Sequence, residues 1–89
     1  MDTAMKILII EDDEALAREI ASFLARWGYG TSVPGRFDRV MEEFSRCRPQ
    51  LVLMDINLPF YDGFYWCSQI RQVSKVPILY ISSRSDDRD

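Results

Sequence analysis

Three carboxylates stand where two apolar runs stop: Glu11 and Asp12 follow Lys6-Ile-Leu-Ile-Ile10, and Asp55 follows Leu51-Val-Leu-Met54. In an open α/β sheet, ligands gather in the crevice beyond the carboxyl ends of the strands. Were these two strands neighbours, three negative side chains would meet in one small volume and repel strongly without a cation between them. Oxygen-only donors select a hard divalent ion, and Mg²⁺ is the usual one where phosphate chemistry follows. Asp55 could itself be a nucleophile, since carboxylates form aspartyl phosphates as covalent intermediates. It could also be a cap or turn residue, but Ile56 does not open a helical pattern. For Glu11, Asp12 and Asp13 the ordinary alternative is helix capping, which accounts for one or two carboxylates and not for three in succession. Ser82 closes the last apolar run, Val76–Ile81, and should point into the same crevice. Its hydroxyl could bond a phosphoryl oxygen or simply serve a turn.

Positioning these groups takes strands that alternate with helices, the pattern of βαβ units and a parallel sheet. Lys6–Ile10 and Leu51–Asp55 read as strands covered on both faces. Leu16, Ile20, Phe23, Leu24 and Trp27 recur on one helical face, with Arg18, Glu19, Ser22 and Arg26 on the other. Asp12 or Asp13 can cap that helix, and Gly28 can end it in the left-handed conformation. Tyr29–Val33 predicts a short edge strand, weakened by Gly30. Phe37, Val40, Met41 and Phe44 predict the buried stripe of a second helix, which Pro49 closes while holding Arg48 extended. Asn57-Leu-Pro59 and Asp62-Gly63 mark a loop. From Phe64 to about Val73 a short helix should turn Phe64, Cys67 and Ile70 inward. Val76–Ile81 completes a β-α-β-α-β-α-β order, and right-handed crossovers then place helices on both faces of the sheet.

Composition narrows the function. With 89 residues, 47% of them hydrophobic and 28% charged, the chain reads as one small folded domain. Its net charge of −3 gives no electrostatic case for direct nucleic-acid binding by this segment. No run reaches membrane-spanning length, and residues 1–10 lack the pattern of a signal peptide. Cys47 and Cys67 fit no metal or redox spacing and read as reduced thiols in the cytoplasm. Histidine is absent, which excludes a Ser-His-Asp or Cys-His nucleophilic site. Trp27 and Trp66 read as packing residues, and Arg36, Arg39, Arg46 and Arg48 as a solvated helix face.

Taken together, Lys6-Ile-Leu-Ile-Ile-Glu-Asp-Asp13, Leu51-Val-Leu-Met-Asp-Ile-Asn-Leu-Pro59, Asp62-Gly63 and Pro77-Ile-Leu-Tyr-Ile-Ser82 resemble, in order and spacing, a response-regulator receiver domain of bacterial two-component signalling. Pro59-Phe-Tyr-Asp-Gly-Phe-Tyr-Trp-Cys67 further resembles the regulators of cell-envelope and antimicrobial-peptide (bacitracin-type) responses, in which a winged-helix DNA-binding domain follows the receiver. The resemblance implies a doubly wound, flavodoxin-like α/β sheet and a phosphoacceptor rather than a turnover enzyme. Asp55 would take a phosphoryl group from a sensor histidine kinase. Glu11, Asp12 and Asp55 would hold Mg²⁺, together with the backbone carbonyl of Asn57. Ser82 would contact the phosphoryl group and move on activation, Asp62-Gly63 would start the third helix, and Asp13 would be a cap. Self-association is expected, with DNA bound by the effector domain and no membrane contact.

Two departures shape the expectation. The family carries a fifth strand, two further helices and a Lys in the loop after that strand, and residues 1–89 match only as far as the fourth strand. The expected domain is therefore a partial receiver, and neither Lys6 nor Lys75 stands at the right strand end to replace that Lys. The alternative is a phosphorylation-independent interaction or dimerisation module, such as a domain-swapped fragment. An Mg²⁺-dependent phosphatase is disfavoured by Asn57. Phosphatases of the haloacid dehalogenase type have an Asp two residues after the nucleophile to move protons, which an Asn cannot do.

Overall fold

The computed structural model describes residues 5–81. The two apolar runs are strands β1 (Lys6–Ile10) and β3 (Leu51–Asp55), and they pair in parallel with Ile7 opposite Leu51 and Ile10 opposite Met54. β2 (Gly30–Ser32) pairs with the other side of β1, and β4 (Ile78–Ile81) with the other side of β3. The order β2-β1-β3-β4, parallel throughout, is that of a doubly wound sheet. β2 is the expected short edge strand.

Strand alternation assigns each face its helices. Leu8, Ile10, Val52 and Met54 point to one side and pack with Val40, Phe44 and Cys47 of α2 (Val40–Cys47) and Trp66 and Ile70 of α3 (Gly63–Arg71). Ile7 and Ile9 point to the other side, where Ala17, Ile20, Ala21 and Leu24 of α1 (Glu14–Arg26) cover them together with Leu51 and Leu53. Asp13, not Asp12, caps α1 by accepting the Leu16 N–H at 3.2 Å. Gly28 follows α1 with φ +91°, the left-handed conformation expected there.

Three details correct the sequence reading. First, Phe23 is 55% exposed and Trp27 70%. Ile20 and Leu24 face the sheet as expected, but beside Ala17 and Ala21, whose small side chains let α1 lie close to β1. Second, α3 buries Gly63, Trp66 and Ile70, whereas Phe64 is exposed and Cys67 half-buried. Phe64 lies against Tyr80 with ring centroids 5.1 Å apart. Third, Arg48 is left-handed (φ 51°, ψ 61°) rather than extended. Its N–H caps α2 through the Phe44 carbonyl, and this cap bond outweighs the extended preference of a residue before proline. Phe37 precedes α2, which starts at Val40, yet still packs against the core. β4 likewise starts at Ile78, after Pro77.

Candidate functional site

Register alone brings the carboxylates together. Glu11 and Asp55 each stand one residue beyond the last pair, Ile10 with Met54, so they are side by side at the carboxyl edge of the two central strands. One oxygen from each of Glu11, Asp12 and Asp55 lies within 4.8 Å of the others. Glu11 is 1% exposed and Asp55 is fully buried, while Asp12 faces solvent. Buried carboxylates are rare unless something balances them.

The local partners are specific. Glu11 Oε2 accepts the Asp13 N–H at 3.0 Å, whereas Glu11 Oε1 is buried with no hydrogen-bond partner among the described residues. Burial pushes the Glu11 carboxyl from its ordinary 4.5 up to about 7, and the neighbouring Asp55 and Asp12 carboxylates push the same way, against the Asp13 N–H. Asp55 Oδ1 accepts the Asn57 N–H at 3.2 Å. Asn57 itself is exposed, beside a cleft of about 450 Å³ lined by Asp12, Ile56, Asn57, Leu58, Pro59 and Asp62. A buried carboxylate oxygen without a donor, facing two further carboxylates, fits a hard divalent cation with oxygen ligands.

The remaining candidates separate clearly. Asp13 and Asp62 are caps, Asp62 accepting the Tyr65 N–H at 2.9 Å. Lys6 sits at the opposite end of β1 from the carboxylates, and Lys75 precedes β4. Arg36 pairs with Asp38 at 2.9 Å and Arg46 with Glu43 at 2.6 Å. Arg36, Arg39, Arg46 and Arg48 are exposed as expected, but of the four only Arg46 lies within α2. Ser82 lies outside the described residues. Two features escaped sequence reasoning. Gly63 backs directly onto Asp55, a closeness that only the tertiary packing of α3 defines. Phe60 is exposed and left-handed (φ 71°), with the Tyr61 N–H donating to the Pro59 carbonyl at 2.8 Å across it. A tight three-residue turn around a bulky side chain is strained, and Pro59 was its one local signal.

Comparison with known proteins identifies the family. The family model described as the response regulator receiver domain matches residues 7–89. The transcriptional regulatory protein YxdJ of Bacillus subtilis (strain 168) is 49% identical over 84 residues, covering 94% of this chain and 37% of that protein. The sensory transduction protein BceR of Halalkalibacterium halodurans is 48% identical over 84 residues, covering 94% and 36%. The chain thus spans little more than a third of the length of these curated relatives. Among solved structures, the N-terminal domain of the nisin resistance regulator NsrR superposes with a TM-score of 0.84 at 37% identity, covering 98% of this chain and 74% of that one. The BeF₃-activated receiver domain of RstA from Klebsiella pneumoniae gives 0.83 at 36%, covering 92% and 70%. No helix among the described residues is long and apolar enough to cross a membrane. The chain belongs to the response regulator receiver domains of two-component signalling, and its relatives are transcriptional regulators.

Proposed function

We propose that this receiver accepts a phosphoryl group on Asp55 from a sensor histidine kinase, and that the modified domain controls DNA binding by an effector domain of the intact protein. The observation that carries the proposal is the meeting of Glu11, Asp12 and Asp55 at the ends of β1 and β3, with Glu11 Oε1 buried and undonated. An Asp55 oxygen attacks phosphorus in line, a P–O bond forms, and the bond to the donor's histidine nitrogen breaks with its electron pair leaving on that nitrogen. Mg²⁺, held by Glu11, Asp12 and Asp55 with the Asn57 carbonyl, would neutralise the charge of the phosphoryl oxygens. The Asn57 N–H holds the Asp55 carboxylate in place through Oδ1. Asn57 cannot supply a proton to hydrolysis, which favours a persistent acyl phosphate over turnover. Ser82 is the hydroxyl proposed to contact the phosphoryl group.

The effector is inferred from the relatives, whose names denote transcriptional and sensory regulation and of which this chain matches only part. The bacitracin-type assignment rests on the likeness of Pro59–Cys67 to that group of regulators. The test is intact mass after incubation with acetyl phosphate and Mg²⁺. A metal-dependent gain of one phosphoryl group, absent from Asp55→Asn, is the expected result. A gain that persists in Asp55→Asn refutes the assignment.

A second reading, self-association, rests on β4. Among the described residues this strand is an edge of the sheet, with Leu79 55% exposed and Tyr80 also exposed. Apolar surface of this kind at a strand edge favours pairing with a second copy. Light scattering that finds only monomer at high concentration excludes it.

A further inference from the structure

Gly63 opens α3 directly against the end of β3. A methyl group built on it would overlap the Asp55 carbonyl oxygen and lie 3.0 Å from both Ile56 Cα and Met54 Cγ, inside the 3.4 Å at which ordinary contact begins. Two of these three neighbours are backbone, so the clash cannot be relieved by a side-chain rotation. Nor does conformation explain the residue. Gly28 is the glycine with a left-handed φ, and Gly63 is not in that region. For a helical residue with ordinary backbone angles, alanine is favoured over glycine by roughly 0.5–1 kcal/mol. Space alone requires glycine here.

That space sits at the candidate site. The Gly63 N–H donates to the Ile56 carbonyl at 2.9 Å, and the Asn57 N–H donates to Asp55 Oδ1 at 3.2 Å. The start of α3 therefore grips the peptide between the Asp55 carboxylate and the Asn57 carbonyl, two of the groups assigned to the cation. Glu11 and Asp12 follow β1 and are not held by α3. A shift at Gly63 would move one half of the ligand set relative to the other.

We propose that Gly63 is a positioning residue for the acidic site: by letting α3 seat against β3, it sets the separation between the Asp55–Asn57 ligands and the Glu11–Asp12 ligands, and with it the affinity for a divalent cation. This rests on the metal-binding reading above. The test is titration of Mg²⁺, and of Mn²⁺ as a second probe, into wild type, Gly63→Ala and Gly35→Ala by calorimetry, with circular dichroism and urea midpoints on the same samples. Gly35 is the control, because a methyl there meets nothing within 4 Å and its φ is not left-handed. Mutations behind metal ligands cost roughly 10–100-fold in affinity, and a loss of that size is expected for folded Gly63→Ala, with Gly35→Ala unchanged.

A purely structural role would lower the urea midpoint and leave the affinity of the folded population as in wild type, and that result overturns the proposal. If Gly63→Ala unfolds in plain buffer, the titration is repeated in trimethylamine N-oxide, which favours the compact state. Failure to fold there as well makes Gly63 a folding requirement and also overturns the proposal. Wild type that binds no cation brings down the metal reading itself, whereas equal binding by wild type and folded Gly63→Ala brings down this inference alone.

Discussion

Replacing Glu11 by Gln removes a buried charge with almost no change of shape, so its effect on stability can be worked out from the surroundings. Glu11 is 1% exposed and has one oxygen on the Asp13 N–H and the other without a donor. Its carboxyl is raised from 4.5 to about 7, chiefly by burial. A raised carboxyl pKa means that the folded chain holds the proton more tightly than the unfolded one. Ionising Glu11 therefore costs nothing below about pH 4.5, costs progressively more up to about pH 7, and levels off above it. At 1.36 kcal/mol per pH unit, the full cost is about 3 kcal/mol. Gln carries no charge, can still accept from the Asp13 N–H, and can donate its amide to Asp55. In EDTA, Glu11→Gln should be more stable than wild type by about 2–3 kcal/mol at pH 8, and the gap should shrink to below about 1 kcal/mol at pH 5.

Magnesium should close most of that gap at pH 8. A ligand at a hundred times its dissociation constant stabilises the folded state by about 2.7 kcal/mol, and the Gln variant should lose most of that gain. The assay is urea unfolding followed by circular dichroism at pH 5 and 8, each with EDTA or with Mg²⁺. A variant that is less stable than wild type at pH 8 in EDTA, or a gap that does not change with pH, would refute the claim that Glu11 is a destabilising charge awaiting a cation.

Further substitutions test the packing. Asp13→Ala removes the cap of α1 and should lower stability by about 1 kcal/mol, read as a fall in the urea midpoint. Ile70→Ala, at a fully buried position between α3 and the sheet, should cost about 2–5 kcal/mol. Phe23→Ala should change stability far less than Ile70→Ala, and a comparable loss would place Phe23 back in the core. Gly28→Ala puts a side chain on a φ of +91° and should cost about 1 kcal/mol or more, although the added methyl meets no neighbour.

The sequence was most legible where one physical demand dominated. Ile7–Ile10 and Leu51–Met54 leave no polar residue for a solvent-facing side, so central parallel strands followed, and with them the meeting of Glu11 and Asp55 at one sheet edge. The α1 face was harder, since Leu16, Phe23 and Trp27 form as regular a stripe as 17, 20, 21 and 24. Periodicity weighs apolar character, whereas the sheet admitted the smaller side chains that permit close approach. Trp66 was hidden for the same reason, because the seat of Gly63 on Asp55 fixes which side of α3 turns inward. Arg48 shows two local rules in competition, with the cap bond to Phe44 prevailing. The conformation of Phe60 had no comparable signal, because a left-handed aromatic residue is disfavoured by every local preference.

The central place of β1 has a consequence for how the chain is born. Ile7 pairs with Thr31 on one side and Leu51 on the other, 24 (31 − 7) and 44 (51 − 7) residues downstream. This apolar strand is thus synthesised well before its main partner. At about 5–20 residues per second, the ribosome takes about 2–9 s to supply Leu51 after Ile7. During that interval α1, β2 and then α2 are made, whereas β3 and α3 are not. Chains stalled before Leu51 should leave β1 open to proteases and chaperones, and chains stalled beyond Asp55 should protect it. Protection already present before Leu51 would mean that α1, β2 and α2 shelter the strand without β3. Without such early protection, translation speed between Ser32 and Gln50 would govern how long this protein is exposed to aggregation.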